Sequence, residues 1–312
     1  MRLLPQILGP TDYKPFPTNR MVRYPKVLPR SNAILGLEFE YERTGINQLY
    51  WTGKATPLTH EVELITHLKL LKKWYNVHVD PSLRGDDSIE LVFKRGFTIP
   101  TAERAISELF NIAVARDFRV SRRTGLHVHL NMGECNRDHL RNLCALYAIL
   151  EPSIYHAAGG ERSANPFCVP WFYDGFTTKN IRLLTTYPDA EIGVIRRLKK
   201  YSGLNLKTLW KYSTVEFRHL RNTLDLNLIL EWLRLIINLY EFCRNPDFET
   251  IFNELVFEKE NYVELINVVY RGQRVWDALI FPDLVEEINT TPIIIASEIF
   301  LSDPLYKLEG AV

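Results

Sequence analysis

The sequence predicts an α+β fold in which a curved, mainly antiparallel sheet turns one face to helices and the other to a polar site. Short segments alternate apolar and polar residues, as half-buried strands do, and the clearest is ILGLEFEYE at 34–42. Longer segments repeat apolar residues at the spacing of a helix face. The segment 224–243 is apolar nearly all round, which is typical of a buried central helix.

The predicted elements begin near Ala33 and extend towards the C-terminus. Asn136 stands where it can cap the helix that follows it. The stretch 159–179 mixes glycine, proline and aromatic residues and predicts a long loop. In chain order, we expect strands at 34–42, 76–80, 89–93, 126–131 and 214–219, and helices at 59–75, 101–118, 137–157, 189–200, 224–243 and within 262–301.

The composition indicates an ordinary globular chain preceded by an arm. Residues 1–32 contain six prolines and no sustained periodicity, so we expect an extended arm, with 33–312 as one domain completed by C-terminal helices. The net charge of +1 gives no strong nucleic-acid signal. No apolar run approaches the roughly 20 residues of a membrane span, the start does not resemble a secretory signal, and the cysteines form no C-x-x-C pair. We therefore expect a cytoplasmic protein with reduced thiols and no membrane segment.

Acidic residues recur on one face of the first predicted strand. Because strand side chains alternate, burying Leu37 and Phe39 turns Glu38, Glu40 and Glu42 the other way, about 7 Å apart. Like charges this close raise one another's pKa unless a cation lies among them, as in sites for hard metal ions. For this strand alone, a solvated acidic edge is an equally good interpretation.

The same alternation recurs in three other predicted strands, each of which puts polar groups on the face away from the core. Such faces, pooled together, form a polar cavity rather than an ordinary outer surface. The polar residues are Glu90 in 89–93, then His127, His129 and Asn131 in 126–131, and Glu216 and Arg218 in 214–219.

These residue types favour phosphoryl transfer at a metal site. Carboxylates with one or two histidines suit Mg²⁺ or Mn²⁺ better than structural zinc. Arg162, Arg218 and Arg221 can hold phosphate or carboxylate oxygens bidentately. Positioning and charge neutralisation by such groups supply most of the catalysis in phosphoryl transfer. The chain has no P-loop and no G-x-G-x-x-G motif, so a nucleotide would be held by metal and side chains.

Five motifs occur in an order that resembles the amidoligases, a family with phage and bacterial members that is grouped with glutamine synthetase and γ-glutamylcysteine ligase. They span about residues 33–225. One departs from the family pattern, because Phe93-Lys94-Arg95-Gly96 follows Glu90 where small residues and proline are usual. The motifs are Gly36-Leu-Glu-Phe-Glu40, Asp80-Pro-Ser82 with Glu90-Leu-Val92, Gly125-Leu-His-Val-His-Leu-Asn131, Arg162, and Glu216-Phe-Arg218 with Arg221-Asn-Thr223.

The resemblance implies a glutamine-synthetase-like catalytic fold and an ATP-dependent ligase. ATP would phosphorylate a carboxylate, and an amine would then displace the phosphate. The substrates implied are a small-molecule or peptide acid and amine, the cofactors are ATP and two Mg²⁺ or Mn²⁺ ions, and assembly as a homo-oligomer is possible. By matching position, the metal ligands would be Glu38, Glu40, Glu90, His127 and Glu216. The contacts to ATP or substrate would be His129, Asn131, Arg162, Arg218 and Arg221. The catalytic groups would be Arg218, His129 and Glu90. Asp80 and Ser82 also match the family, without an assigned role.

Three alternatives remain open from the sequence. His127 and His129 with Glu134 resemble the first metal motif of cupins, H-x-H-x₄-E, although long helices and the lack of a second histidine motif argue against that class. A metal-dependent hydrolase can use a similar cluster with a metal-bound water, but needs neither ATP nor several arginines. A binding protein that kept the fold without the chemistry is the third.

Overall fold

An antiparallel sheet of six strands forms the centre of the molecule, in the order β2-β3-β1-β4-β6-β5, and it is not closed into a barrel. The computed structural model describes residues 33–52, 54, 57, 61–159, 161–171, 199–248, 250–251 and 261–270. Its strands are β1 (Leu35–Tyr41), β2 (Tyr75–His78), β3 (Ile89–Phe93), β4 (Leu126–Asn131), β5 (Leu204–Asn205) and β6 (Thr214–Phe217). The predicted α+β class is therefore confirmed.

Helices connect and cover the strands. Asn136 accepts a hydrogen bond from the backbone N–H of His139, so the predicted cap is confirmed. Asp225 caps a later helix in the same way, through the N–H of Leu228. The helices are α1 (Gln48–Thr52), α2 (Val62–Trp74), α3 (Ile99–Ala115), α4 (Arg137–Ala157), α5 (Lys207–Tyr212), α6 (Leu226–Cys243) and α7 (Asn261–Tyr270), with a short 3₁₀ turn at Glu161–Ala164.

The core lies between one face of the sheet and the helices. Leu37, Phe39, Leu91, Val128 and Phe217 are each at most 1% exposed, and they come from four different strands. Helices α3, α4 and α6 contribute buried residues to the same apolar cluster, and α6 is buried along most of its length, as its sequence predicts. Burial of these side chains is the main force that holds the sheet to the helices. The opposite faces of the strands are left to polar residues.

The predicted boundaries differ from the structure at several ends. The second strand lies at 75–78 rather than 76–80, α3 ends at Ala115 rather than near 118, and the last strand ends at Phe217. Three short elements, α1, α5 and β5, were not predicted, because two to six residues are too few for a periodic pattern to be recognised. The predicted arm at 1–32, most of the predicted helix at 189–200 and the helices beyond 270 lie outside the described residues. In the described part of the chain, no helix has the length and apolar character to cross a membrane.

Candidate active site

Five strands deliver polar side chains into one cavity of about 360 Å³ on the face opposite α3, α4 and α6. The antiparallel register places the key residues next to each other across strand boundaries. Three cross-strand pairs result: Glu38 with His127, Glu40 with Glu90, and His129 with Glu216. Paired positions on one sheet face have Cβ atoms about 5 Å apart, so their side chains interact directly.

His127 lies at the centre of the carboxylates. Its Nδ1 is 3.2 Å from Glu38 Oε2 and 3.4 Å from Glu216 Oε1. Its Nε2 is 3.6 Å from Glu40 Oε1. The ring is 2% exposed, so these contacts are formed away from bulk water. One imidazole therefore presents a different nitrogen to each of two groups of carboxylates.

Among the residues that the structure describes, two sets of donor atoms are close enough to hold metal ions. We call Glu38, His127 and Glu216 the first donor group, and Glu40, Glu90 and His127 the second. Within each group the ligand atoms lie within 4.8 Å of one another. A neutral imidazole has one lone pair and one N–H, so His127 can ligate a cation in only one group at a time. The other group would then bind through carboxylates, which suits Mg²⁺ or Mn²⁺.

Neighbouring polar groups orient the carboxylates. The backbone N–H of Gly125 donates to Glu40 Oε2 at 2.5 Å, and Asn205 Nδ2 donates to Glu216 Oε2 at 2.6 Å. His129 Nε2 is 3.1 Å from Glu38 Oε1, and its Nδ1 is 3.1 Å from the Thr214 hydroxyl. Second contacts of this kind fix the direction of a ligand's remaining lone pairs.

Two buried arginines line the same cavity. Arg218 is 6% exposed, donates to Glu216 Oε1, and donates through Nε to the carbonyl oxygen of Phe167 at 3.0 Å. Arg162 is 3% exposed and donates to the carbonyl oxygen of Thr124. Both guanidinium groups are therefore buried in the cavity lining, and each donates a hydrogen bond to a backbone carbonyl oxygen.

Position 125 requires glycine because the side chains of His127 and Arg162 come close to its Cα atom. A Cβ atom there would lie 2.7 Å from His127 Nε2 and 3.0 Å from a terminal nitrogen of Arg162. The missing side chain lets the imidazole and the guanidinium group come together over the strand.

Neighbouring groups of opposite charge shift the pKa values of Glu38, His129 and Glu216. Burial alone would raise the pKa of Glu38, but hydrogen bonds from His127 and His129 outweigh it and hold that pKa well below its usual range. Burial would lower the pKa of His129, yet Glu38 raises it above the ordinary value. For Glu216, the Arg218 charge outweighs burial and lowers the pKa. The carboxyl groups of Glu38 and Glu216 are therefore ionised at neutral pH.

Glu90 behaves in the opposite way. Burial, followed by the negative charges of Glu38, Glu40, Asp80 and Glu216, raises its pKa to about 8. Glu90 therefore holds a proton at neutral pH. A bound divalent ion would relieve this repulsion.

Glu90→Gln is expected to change how stability depends on pH. The folded state keeps the Glu90 proton up to about pH 8, whereas the unfolded chain loses it near 4.5. Stability from this group is therefore complete below pH 4.5 and lost as the pH rises through 8. In urea unfolding with EDTA, the glutamine variant should gain on the order of 3 kcal/mol relative to the parent between about pH 5 and 8.5. Glu103→Gln, at an exposed position of α3, is the control, and an equal pH slope in Glu90→Gln and the parent would contradict the assignment.

The structure brings most of the predicted site residues together. Those that line the cavity are Glu38, Glu40, Asp80, Ser82, Glu90, His127, His129, Arg162, Glu216 and Arg218. Asn131 and Arg221 are not among the lining residues. The Asn131 side-chain oxygen Oδ1 accepts from the Gly133 N–H, and Arg221 is exposed, with its backbone bridged to Gly125. Their expected contact with ATP stays a prediction.

Several lining residues were missed by the sequence interpretation. The pair Lys207 and Lys211, spaced four apart on α5, is a recognisable signal for one helix face, but the helix itself was not predicted. Asn205 gave no signal, since its role depends on the pairing of β5 with β6. The others include Arg123, Phe167, Lys200, Tyr201, Thr208 and Tyr212.

The geometry does not favour a cupin. The sheet is open, and Glu134, the third residue of that motif, is exposed and does not line the cavity. His127 and His129 are instead surrounded by carboxylates from other strands.

Part of the chain matches a known enzyme family. Residues 97–240 match the family model described as "Putative amidoligase enzyme". The resemblance to the amidoligases is therefore confirmed for this range, which we call the amidoligase segment. The description supports an amide-bond ligase at a coarse level, and so an enzyme rather than a binding protein. A search of curated proteins found no match.

The amidoligase segment contains only part of the site. It supplies His127, Arg162 and Glu216, whereas Glu38 and Glu90 come from strands that precede it. Because β1 lies between β3 and β4, the preceding strands complete both donor groups.

Proposed function

We propose that this protein is an ATP-dependent carboxylate–amine ligase that uses Mg²⁺ or Mn²⁺ and forms an amide bond through an acyl phosphate. The observation that carries the proposal is the convergence of two carboxylate–histidine donor groups and two buried arginines on a single cavity. The match of the amidoligase segment supports amide formation as the type of reaction. The proposal includes a glutamine-synthetase-like fold. It also includes a small-molecule or peptide acid and amine as the substrates.

The residues present fit a pair of hard divalent cations. The first donor group would hold one ion through Glu38, His127 and Glu216, and the second would hold another through Glu40 and Glu90. The ions would neutralise phosphate oxygens and align them for transfer. Glu90 must lose its proton to ligate, so metal binding is expected to release protons at neutral pH.

The arginines are suited to the anionic groups of the reaction. Arg218 has its Nε occupied by Phe167 and one terminal nitrogen by Glu216, which fixes the plane of its guanidinium group. That rigidity would allow it to stabilise the transferred phosphoryl group without reorganisation. Arg162 lies beside His127 at Gly125 and would contact the phosphate or the substrate carboxylate.

His129 is proposed to contact the nucleotide or to assist phosphoryl transfer. Its Nε2 faces Glu38, and its Nδ1 faces the Thr214 hydroxyl, so the ring orientation is set from both sides. The raised pKa caused by Glu38 favours a charged imidazolium, which would attract phosphate oxygens.

A screen for ADP release over acid and amine pairs, with mass spectrometry of products, tests the proposal. The expected result is metal-dependent ADP formation together with a product that has lost one water relative to its two substrates. Metal-dependent turnover without nucleotide would instead indicate a hydrolase, and would overturn the proposal.

Arg218→Ala is expected to lower ADP release by about a hundredfold or more, because a preorganised cation at the transferred group is lost. Arg119→Ala is the matched control, since its side chain is 62% exposed and does not line the cavity. Initial rates at saturating Mg²⁺ and ATP provide the measurement. Equal rates for the two variants would show that Arg218 has no catalytic part.

A further inference from the structure

The cavity has an acidic end and a basic end. Glu90 lies at the acidic end, and Asp80 is near enough for its charge to raise the Glu90 pKa. Lys200, Lys207 and Lys211 line the same cavity. None of these three lysines belongs to either donor group.

Direct contacts tie the basic end to the first donor group. The Lys207 backbone N–H donates to Asn205 Oδ1 at 3.0 Å, and the Asn205 amide donates to Glu216 Oε2 at 2.6 Å. The Tyr212 ring lies 6.5 Å from the His129 ring, whose Nε2 contacts Glu38. The helix that carries Lys207 and Lys211 therefore packs next to the first donor group, and the acidic end lies further away along the sheet.

Two partly exposed aromatic rings accompany the lysines at the cavity rim. Tyr201 is 41% exposed and Tyr212 is 56% exposed, although both line the cavity. Cationic groups lie near both rings: Arg218 is 5.7 Å from the Tyr201 ring centroid, and the Lys211 ammonium is 4.8 Å from that of Tyr212. A flat apolar face next to a positive charge suits a ligand with an aromatic ring and phosphates.

We propose that the basic end is the nucleotide subsite. The phosphates run from the first donor group towards Lys207 and Lys211, and the base stacks at the rim on Tyr212 or Tyr201. This inference rests on the proposed function, because it assigns a place to the ATP of that reaction. An acidic substrate would also be attracted by the lysines, but a carboxylate has no need of exposed rings, so the aromatic rim favours the nucleotide.

Two probes separate the parts of the subsite. AMP-PNP with MgCl₂ carries base and phosphates, whereas tripolyphosphate with MgCl₂ carries phosphates alone. Binding is measured by calorimetry on the full chain, and thermal melting confirms that each variant is folded. Lys207→Ala combined with Lys211→Ala should weaken both probes by about tenfold, since two phosphate contacts are lost. Tyr212→Leu combined with Tyr201→Leu should weaken AMP-PNP by about tenfold and leave tripolyphosphate unchanged.

Matched controls lie outside the cavity. Lys69→Ala removes an exposed lysine from α2, and Trp210→Leu removes an aromatic residue of α5 that does not line the cavity. Both should bind AMP-PNP like the parent.

The outcomes distinguish failure of the proposed function from failure of the nucleotide subsite. If the parent protein binds no AMP-PNP with either Mg²⁺ or Mn²⁺, the proposed function fails, and the subsite fails with it. If the parent binds AMP-PNP and the lysine and tyrosine variants bind it equally well, only the subsite is overturned. Loss of tripolyphosphate binding in the tyrosine variant would also overturn the assignment of the rim to the base.

Discussion

Glu38→Gln is expected to reduce metal-dependent ADP release by at least about a thousandfold, the largest effect of any single change in the site. Glu38 contacts both histidines, with 3.2 Å to His127 Nδ1 and 3.1 Å to His129 Nε2. The variant loses a metal ligand and also the charge that orients both rings. We expect a fall in Mn²⁺ affinity of about tenfold or more, measured by calorimetry or by electron paramagnetic resonance of free Mn²⁺.

Glu42→Gln is the matched control for this change. Glu42 continues the alternation of Glu38 and Glu40 along the chain. Its carboxylate, however, accepts from the Arg84 N–H and does not line the cavity. Its activity should stay within about threefold of the parent, as expected of a change outside the site. Full activity in Glu38→Gln would remove the first donor group from the mechanism.

Gly125→Ala is expected to inactivate the enzyme by adding a single methyl group. The new Cβ would lie 2.7 Å from His127 Nε2, which is closer than real Cβ contacts allow, and 3.0 Å from Arg162. Because the imidazole is surrounded by carboxylates, it cannot move without breaking a donor group. We expect ADP release to fall by about a hundredfold, with a loss of roughly 1–3 kcal/mol in the free energy of unfolding.

Gly36→Ala tests whether the effect is specific. Gly36 lies on β1 beside His129, but its added Cβ would have its nearest contact at 3.4 Å, an ordinary van der Waals distance. Initial rates and urea unfolding of the two variants provide the comparison. If Gly125→Ala kept parental rates while remaining folded, the close packing of His127 and Arg162 would have no part in activity.

The faces of the strands could be predicted from the sequence because alternation is a local property. Side chains two residues apart share a face whatever the strand pairs with, so Glu38 and Glu40, and likewise His127 and His129, were placed correctly on the polar side. Asn131 shares the parity of His127 and His129, and its expected contact with ATP stays a prediction. It lies at the end of β4, where its side chain accepts from the turn at Gly133 rather than reaching the cavity.

Contacts between strands needed the tertiary structure. The sheet order places β1 between β3 and β4, and the register of each pair decides that Glu40 faces Glu90 while Glu38 faces His127. The division into two donor groups that share one imidazole follows from this register. A local pattern cannot specify it, because strand order depends on which apolar faces pack best against the helices.

By itself, the amino-acid sequence determined the α+β class, the central buried helix and the set of acidic, imidazole and guanidinium groups that point away from the core. Only the tertiary structure decided which of them meet, that Arg221 lies outside the cavity, and that lysines and tyrosines from α5 and its neighbourhood form the basic end. The physical reason is range: side-chain periodicity is set within a few residues, whereas a site is set by long-range packing that brings distant segments into contact.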